Sequence, residues 1–242
     1  MCTVTYIKHE DGFSLTSNRD EEITRPTLKP DVYIENGTTI VYPKDEIAGG
    51  TWIATADNQV SVCLLNGGFK KHKRQLPYSK SRGQVLKERF LYRTNLEFCE
   101  EVDLFNVEPF TLLLLDHLSG LDFVELVWDG KQKHIQQIDV QQHHIWASST
   151  LYNQEQIDLR RQWFSEFTAS KASFSFDDII TFHTESHTKE KSYDIVMERT
   201  ANLKTRSVSQ INLTNHEKSF NYFDLVDHTT EKLKLDLLCK PV

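Results

Sequence analysis

Cys2 and the run Asn18-Arg19-Asp20-Glu21-Glu22 are the residues of this 242-residue chain whose types could carry covalent chemistry. A small residue after the initiator Met permits removal of that Met, which leaves Cys2 holding both a thiol and the free α-amine. A thiol with a pKa of about 8.5 gives little thiolate at neutral pH, and an α-amine titrating at roughly 7.7–8.0 can accept its proton. Arg19 could hold the thiolate and bind a substrate carbonyl or carboxylate, while Asp20 could accept a hydrogen bond from the ammonium and fix its orientation. By residue type alone, the same residues also fit a strand that opens on a small apolar side chain, with Arg19 and Asp20 as a solvated ion pair.

An element that brings positions 2 and 19 together is visible in the same stretch. Residues 2–7 and Phe13-Ser14-Leu15-Thr16-Ser17 are β-prone runs on either side of a turn that contains Asp11-Gly12, which predicts a hairpin. If its strands begin at residue 2 and end near residue 18, Cys2 lies beside Arg19 and Asp20.

Weaker chemical signals follow. Gly49-Gly50 and Gly67-Gly68 are pairs at which backbone can approach a ligand closely or take positive φ. Lys70-Lys71-His72-Lys73-Arg74 can meet a carboxylate or phosphate on a ligand, or form a solvated loop. His183 and His187 share a helix-compatible spacing, but no Glu follows the first His, as a zinc-peptidase motif requires. His143-His144 fits a strand end, although a neutral imidazole can also serve as a haem axial ligand. No cofactor or metal is expected.

Composition bounds the rest. A net charge of −7 argues against nonspecific nucleic-acid binding. No apolar run approaches the ~18 residues that span a bilayer, and no secretory signal is visible, so a cytoplasmic protein without stable membrane insertion is expected. Cys63, Cys99 and Cys239 are widely spaced and read as buried thiols rather than a disulfide framework or zinc knuckle. The length suits one domain over residues 1–242.

Along the chain, Arg25 to Pro30 is Pro-punctuated and expected to be irregular. Strands are predicted at Asp31–Ile34, Thr38–Val41, Gly50–Ala54 and Val60–Leu65, then one helix or two between Ser79 and Val102. Phe110–Leu115, Leu121–Trp128, Lys133–Ile138 and His144–Ser148 return to strand character. Helices are expected over Gln154–Thr168 and after Ser175, with Ser175 and Asp178 as a capping box. Tyr193–Met197, Ser207–Leu213 and Phe220–Leu225 read as strands, and Thr230–Leu238 as a helix packing on the body. Strand runs this closely spaced favour antiparallel sheets with segregated helices, an α+β architecture.

The blocks Met1-Cys2-Thr3-Val4-Thr5-Tyr6, Thr16 to Glu21, Tyr42-Pro43-Lys44-Asp45, Ala48 to Ala54 and Leu65-Asn66-Gly67-Gly68-Phe69 resemble the NRDE family, the transport-and-Golgi-organisation protein 2 family. That family is similar to the N-terminal nucleophile hydrolases, in the branch of penicillin V acylase, bile salt hydrolase and acid ceramidase. The resemblance implies a four-layer αββα sandwich and cleavage of a non-peptide C–N amide bond. It implies that Cys2 is the nucleophile, that Arg19 and Asp20 are the pair beside it, and that Asn66 donates to the oxyanion. Arg206 would be the C-terminal arginine of the site. Of the two adjacent carboxylates, Asp20 is taken over Glu21. Relatives carry a second oxyanion-donating Asn where Ser149 stands here, which leaves Ser149, Gly67, Lys70 and Lys71 as candidate substrate-binding residues.

Two functions are therefore expected: an amidohydrolase acting on an N-acyl amide, or a non-catalytic haem, lipid or acyl-CoA binding protein that uses the same cleft. The partner in either case is a small molecule. Neither reading fixes the oligomeric state.

Overall fold

The computed structural model describes residues 3–57, 59–118 and 120–235. Cys2 and Cys239 lie outside the described residues. The strands β1 (Thr3–His9), β2 (Gly12–Glu22), β3 (Thr27–Glu35), β4 (Thr38–Asp45), β5 (Ile53–Ala56) and β6 (Val60–Asn66) open the chain. Helices α1 (Arg82–Glu88) and α2 (Asn95–Glu101) precede β7 (Phe110–Asp116), β8 (Asp122–Trp128), β9 (Lys133–Gln137) and β10 (His144–Ala147). Then come α3 (Gln154–Ala169), α4 (Phe176–Thr184), β11 (Leu203–Leu213), β12 (Lys218–Asp224) and β13 (Thr229–Lys234). The class is α+β, with two antiparallel sheets.

The chain divides into two compact units. Among the described residues, the first contains 3–25, Gln141–Ser148 and 152–235; its sheet has the order β10-β1-β2-β11-β12-β13. The second contains Pro26–Val140 and Ser149–Leu151, with the order β3-β4-β5-β6-β7-β8-β9.

In the first unit the opening hairpin forms as the sequence predicts, with Thr3 opposite Asn18 and His9 opposite Gly12. Gly12 is required by close approach, because a Cβ there would sit 1.9 Å from the Leu213 carbonyl oxygen of β11. Thr3, Thr5 and Ile7 alternate onto the face covered by α3 and α4. Ile7 joins Phe164, Phe174, Ile179, Phe182 and Ile195 in a buried cluster. α4 starts with the capping box that its sequence encodes, Ser175 bonding the Asp178 N–H and Asp178 returning to the Ser175 N–H.

In the second unit β7 is a nearly continuous apolar run, Phe-Thr-Leu-Leu-Leu-Leu, buried along its length as a central strand requires. The helical stretch is two helices joined by a 3-10 turn at Arg89–Leu91. Arg89 holds that turn: its Nε–H donates to Asn95 Oδ1 at 2.7 Å, and Nη2 lies 3.1 Å from Asp116 Oδ2. Cys63 and Cys99 are buried thiols outside any disulfide, and burial pushes the Cys99 thiol up to about 11, which leaves it unreactive.

Three local expectations are corrected. β3 begins at Thr27 and runs through Pro30; it is an edge strand whose register slips between Leu28 and Asp31, so the proline's missing N–H breaks no ladder bond. Tyr193–Met197 is not a strand. Most of its backbone groups pair with side chains instead: the Tyr193 and Asp194 carbonyls accept from Arg160, the Ile195 carbonyl from Asn18, and the Met197 N–H donates to Thr205 Oγ1, while the Met197 carbonyl accepts the Thr205 N–H at 2.8 Å. Thr229–Lys234 is β13, paired with β12, rather than the start of a helix. The alternation of half-buried and exposed residues there has a period of two.

Candidate active site

Arg19 and Asp20 lie near the end of β2, one and two residues past the Thr3–Asn18 pair, and each is 2% exposed. A solvated ion pair is thus excluded. β11 runs alongside, with Asp20 opposite Thr205 and Arg19 opposite Ser207, and Arg206 occupies the irregularity between them. The extra residue lets Thr205 share Asp20's face of the sheet while Ser207 shares Arg19's.

Two hydroxyls hold Asp20. Thr205 Oγ1 donates to Oδ1 at 2.6 Å, and the Tyr152 hydroxyl donates to Oδ2 in a short hydrogen bond. Glu21, the competing carboxylate, instead lies 3.8 Å from Arg25 in a partly exposed pair. Neither Tyr152 nor Thr205 is identifiable from sequence as a partner of Asp20, since they lie 132 and 185 residues away along the chain.

Tyr152 is itself braced. The guanidinium of the fully buried Arg160 lies 3.6 Å from the centre of its ring. Arg160 Nε donates to Thr3 Oγ1 at 3.2 Å, and its remaining nitrogens bond the carbonyls of Gln156, Tyr193 and Asp194. One arginine from α3 therefore fixes the residue next to the candidate nucleophile and the ring that bonds Asp20.

Arg206 donates through Nη1 to the Ile23 carbonyl, and its Nη2 lies 3.6 Å from both Asp224 and Asp227. Its Nε is buried without a hydrogen-bond partner. Burial raises the pKa of the Tyr222 phenol, and the charges of Arg19 and Arg206 act in the opposite direction.

The remaining candidates belong to the second unit. Asn66 ends β6, and its carbonyl accepts from Thr150 Oγ1 at 3.4 Å. Gly67 takes φ +90°, and a Cβ there would lie 2.4 Å from Ser149 Oγ and 2.6 Å from Thr150 Cγ2. Both the conformation and the space demand glycine. The Ser149 hydroxyl donates to the Gly68 carbonyl at 2.6 Å, so its single proton is already engaged. Lys70 and Lys71 are exposed.

The histidine pairs have other partners. His183 is fully buried between Thr5 Oγ1, 2.7 Å from Nε2, and Asn18 Oδ1 at Nδ1, and burial lowers its pKa to about 3. His187 Nε2 bonds the Phe182 carbonyl, and its ring stacks on Trp163. His143 Nδ1 accepts the Lys8 N–H at 3.1 Å, and burial lowers its pKa. Among the described residues no cluster of three or more His, Cys, Asp or Glu could hold a metal ion.

Solved structures of a hydrolase, an acylase and an amidase are similar to this fold. A mutant of the conjugated bile acid hydrolase from Clostridium perfringens is 8% identical, with a TM-score of 0.58 over 98% of this chain and 93% of that one. Penicillin V acylase from Agrobacterium tumefaciens is 11% identical, with a TM-score of 0.54 over 98% and 86%. The Caenorhabditis elegans ortholog of N-acylethanolamine-hydrolyzing acid amidase is 10% identical, with a TM-score of 0.50 over 87% and 92%. At these identities the likeness establishes a shared fold. The chain belongs to the Transport and Golgi organisation 2 family, whose family model matches residues 1–229. No curated protein matches it by sequence. Among the described residues no helix is long and apolar enough to cross a membrane.

Proposed function

We propose that the protein is an N-terminal-cysteine amidohydrolase that cleaves a non-peptide C–N amide bond. The observation that carries this reading is the buried Arg19–Asp20 pair beside the Thr3–Asn18 register, with Asp20 held by two hydroxyls, on a fold shared with enzymes of amide cleavage. After loss of Met1, the Cys2 α-amine takes the thiol proton and the thiolate attacks the amide carbonyl carbon, forming a C–S bond. Asn66 donates to the oxyanion, as the family resemblance implies. The C–N bond breaks as the ammonium returns a proton to the leaving amine. Water then cleaves the thioester, releasing the carboxylic acid and restoring the thiol. Arg19 favours the thiolate by its charge, and Asp20 orients the ammonium.

Intact mass gives the first test, because retention of Met1 removes the free cysteine amine and with it this mechanism. Labelling wild type and Cys2→Ala with a thiol-reactive acyl probe and a panel of N-acyl amides gives the second. Hydrolysis and labelling that persist without Cys2 would overturn the proposal.

One observation favours the alternative, a non-catalytic haem or lipid/acyl-CoA binding protein: the Ser149 proton is bonded to the Gly68 carbonyl rather than available to an oxyanion. Titration with haem, followed by absorbance, tests the haem form of that reading; an unchanged spectrum removes it.

A further inference from the structure

The nine residues from Phe69 to Pro77 read Phe-Lys-Lys-His-Lys-Arg-Gln-Leu-Pro, five basic side chains with no acid, in a protein of net charge −7. They form no helix or strand, yet the segment is pinned along its length to residues 105–109 of the same unit. The Gly67 N–H bonds the Pro109 carbonyl at 3.0 Å, and His72 Nε2 lies 3.2 Å from Glu108. At the far end Asn106 Nδ2 bonds the Pro77 carbonyl at 2.9 Å, and Ser79 Oγ bonds the Phe105 carbonyl at 2.8 Å. The Trp128 indole N–H holds the Val107 carbonyl from beneath, at 2.9 Å. The two segments are therefore one ordered strip.

That strip exposes large apolar side chains at both ends. Phe69 is 61% exposed at one end, and Leu76 and Phe105 are 70% and 82% exposed at the other. Lys70, Lys71 and Lys73 lie between them, exposed and, among the described residues, without ion pairs. The neighbouring carboxylates are already engaged: Glu108 faces His72, Arg74 and Arg82, Asp103 accepts the Phe105 N–H, and Asp129 faces His134.

Uncompensated lysines framed by exposed apolar tips match a bilayer interface, where ammonium groups meet lipid phosphates and apolar side chains enter the headgroup boundary. A nucleic acid would use the lysines but leave Leu76 and Phe105 in water. We propose that this strip docks the protein peripherally on an anionic phospholipid surface.

Co-sedimentation of the full chain with phosphatidylcholine vesicles, with and without phosphatidylserine, tests it. Binding is expected with phosphatidylserine, weakening as salt is raised. Removing Lys70, Lys71 and Lys73 together, as alanines, is expected to weaken it about 100-fold, since each lysine near such a surface contributes about 5-fold. Phe69→Ser, Leu76→Ser and Phe105→Ser combined should also weaken it, while leaving its salt dependence. The proposal fails if phosphatidylserine vesicles do not bind, or if the lysine variant binds as wild type does. It fails equally if polyuridylate RNA binds and displaces vesicles with no contribution from the three apolar residues.

Discussion

His183 should make the first unit acid-sensitive in a way that one substitution can isolate. Asn18 directs its Nδ2 to the carbonyls of His183 and Ile195, so its Oδ1 faces the ring and accepts from Nδ1–H. Nε2 is then the acceptor for the Thr5 hydroxyl, and the imidazole is neutral. Burial, helped by the charge of His187, lowers its pKa to about 3, against 6.5 for a free imidazole. The folded pKa is the depressed one, so the unfolded chain binds the proton first and stability falls as pH drops from about 6.5 towards 3. At pH 5 the native ring is still neutral and the unfolded one almost fully charged, which costs the folded state about 2 kcal/mol relative to neutral pH. Urea unfolding of wild type and His183→Gln, near neutrality and at about pH 5, reads this directly. The variant is the less stable protein at neutral pH, and its deficit should shrink by about 2 kcal/mol on acidification, because the other histidines titrate in both proteins. A deficit that does not change with pH would refute a neutral, buried His183.

Tyr152→Phe removes one of Asp20's two hydroxyl donors and should cost about 1.5–3 kcal/mol in urea unfolding, the range for a hydrogen bond to a charged group; a loss below about 0.5 kcal/mol would mean that Asp20 does not depend on it. Gly67→Ala forces a side chain into positive φ and against Ser149, for about 1–3 kcal/mol, readable as a lowered Tm. Adding Ser149→Ala should recover only part of that loss, since the backbone strain remains. Under the amidohydrolase proposal, Ser149→Ala should change acylation of Cys2 by less than about 3-fold, because the hydroxyl proton is bonded to Gly68; a loss of about 100-fold or more would identify Ser149 as an oxyanion donor.

What the sequence determined by itself is what local pattern encodes. The Asp11-Gly12 turn between β-prone runs defines the opening hairpin, and the Ser175–Asp178 capping box marks the start of α4. The NRDE blocks carry the family and, with it, the fold. The turn and the cap are short-range signals, and they survive folding because turn geometry and capping depend on a few adjacent residues.

Only the tertiary structure decided how these parts hold one another. Tyr193–Met197 has a strand's composition, but its backbone groups are taken by Arg160, Asn18 and Thr205, and no strand ladder forms there. The leucines near the C-terminal end suited a helix until β12 offered an edge to Thr229–Lys234. Arg19 and Asp20 were legible as a charged pair, whereas their burial, and the choice of Tyr152 and Thr205 as partners of Asp20, were not. A hydroxyl's partner is set by which strands and helices meet, and that is fixed by the burial of whole faces rather than by the residues beside it in the chain.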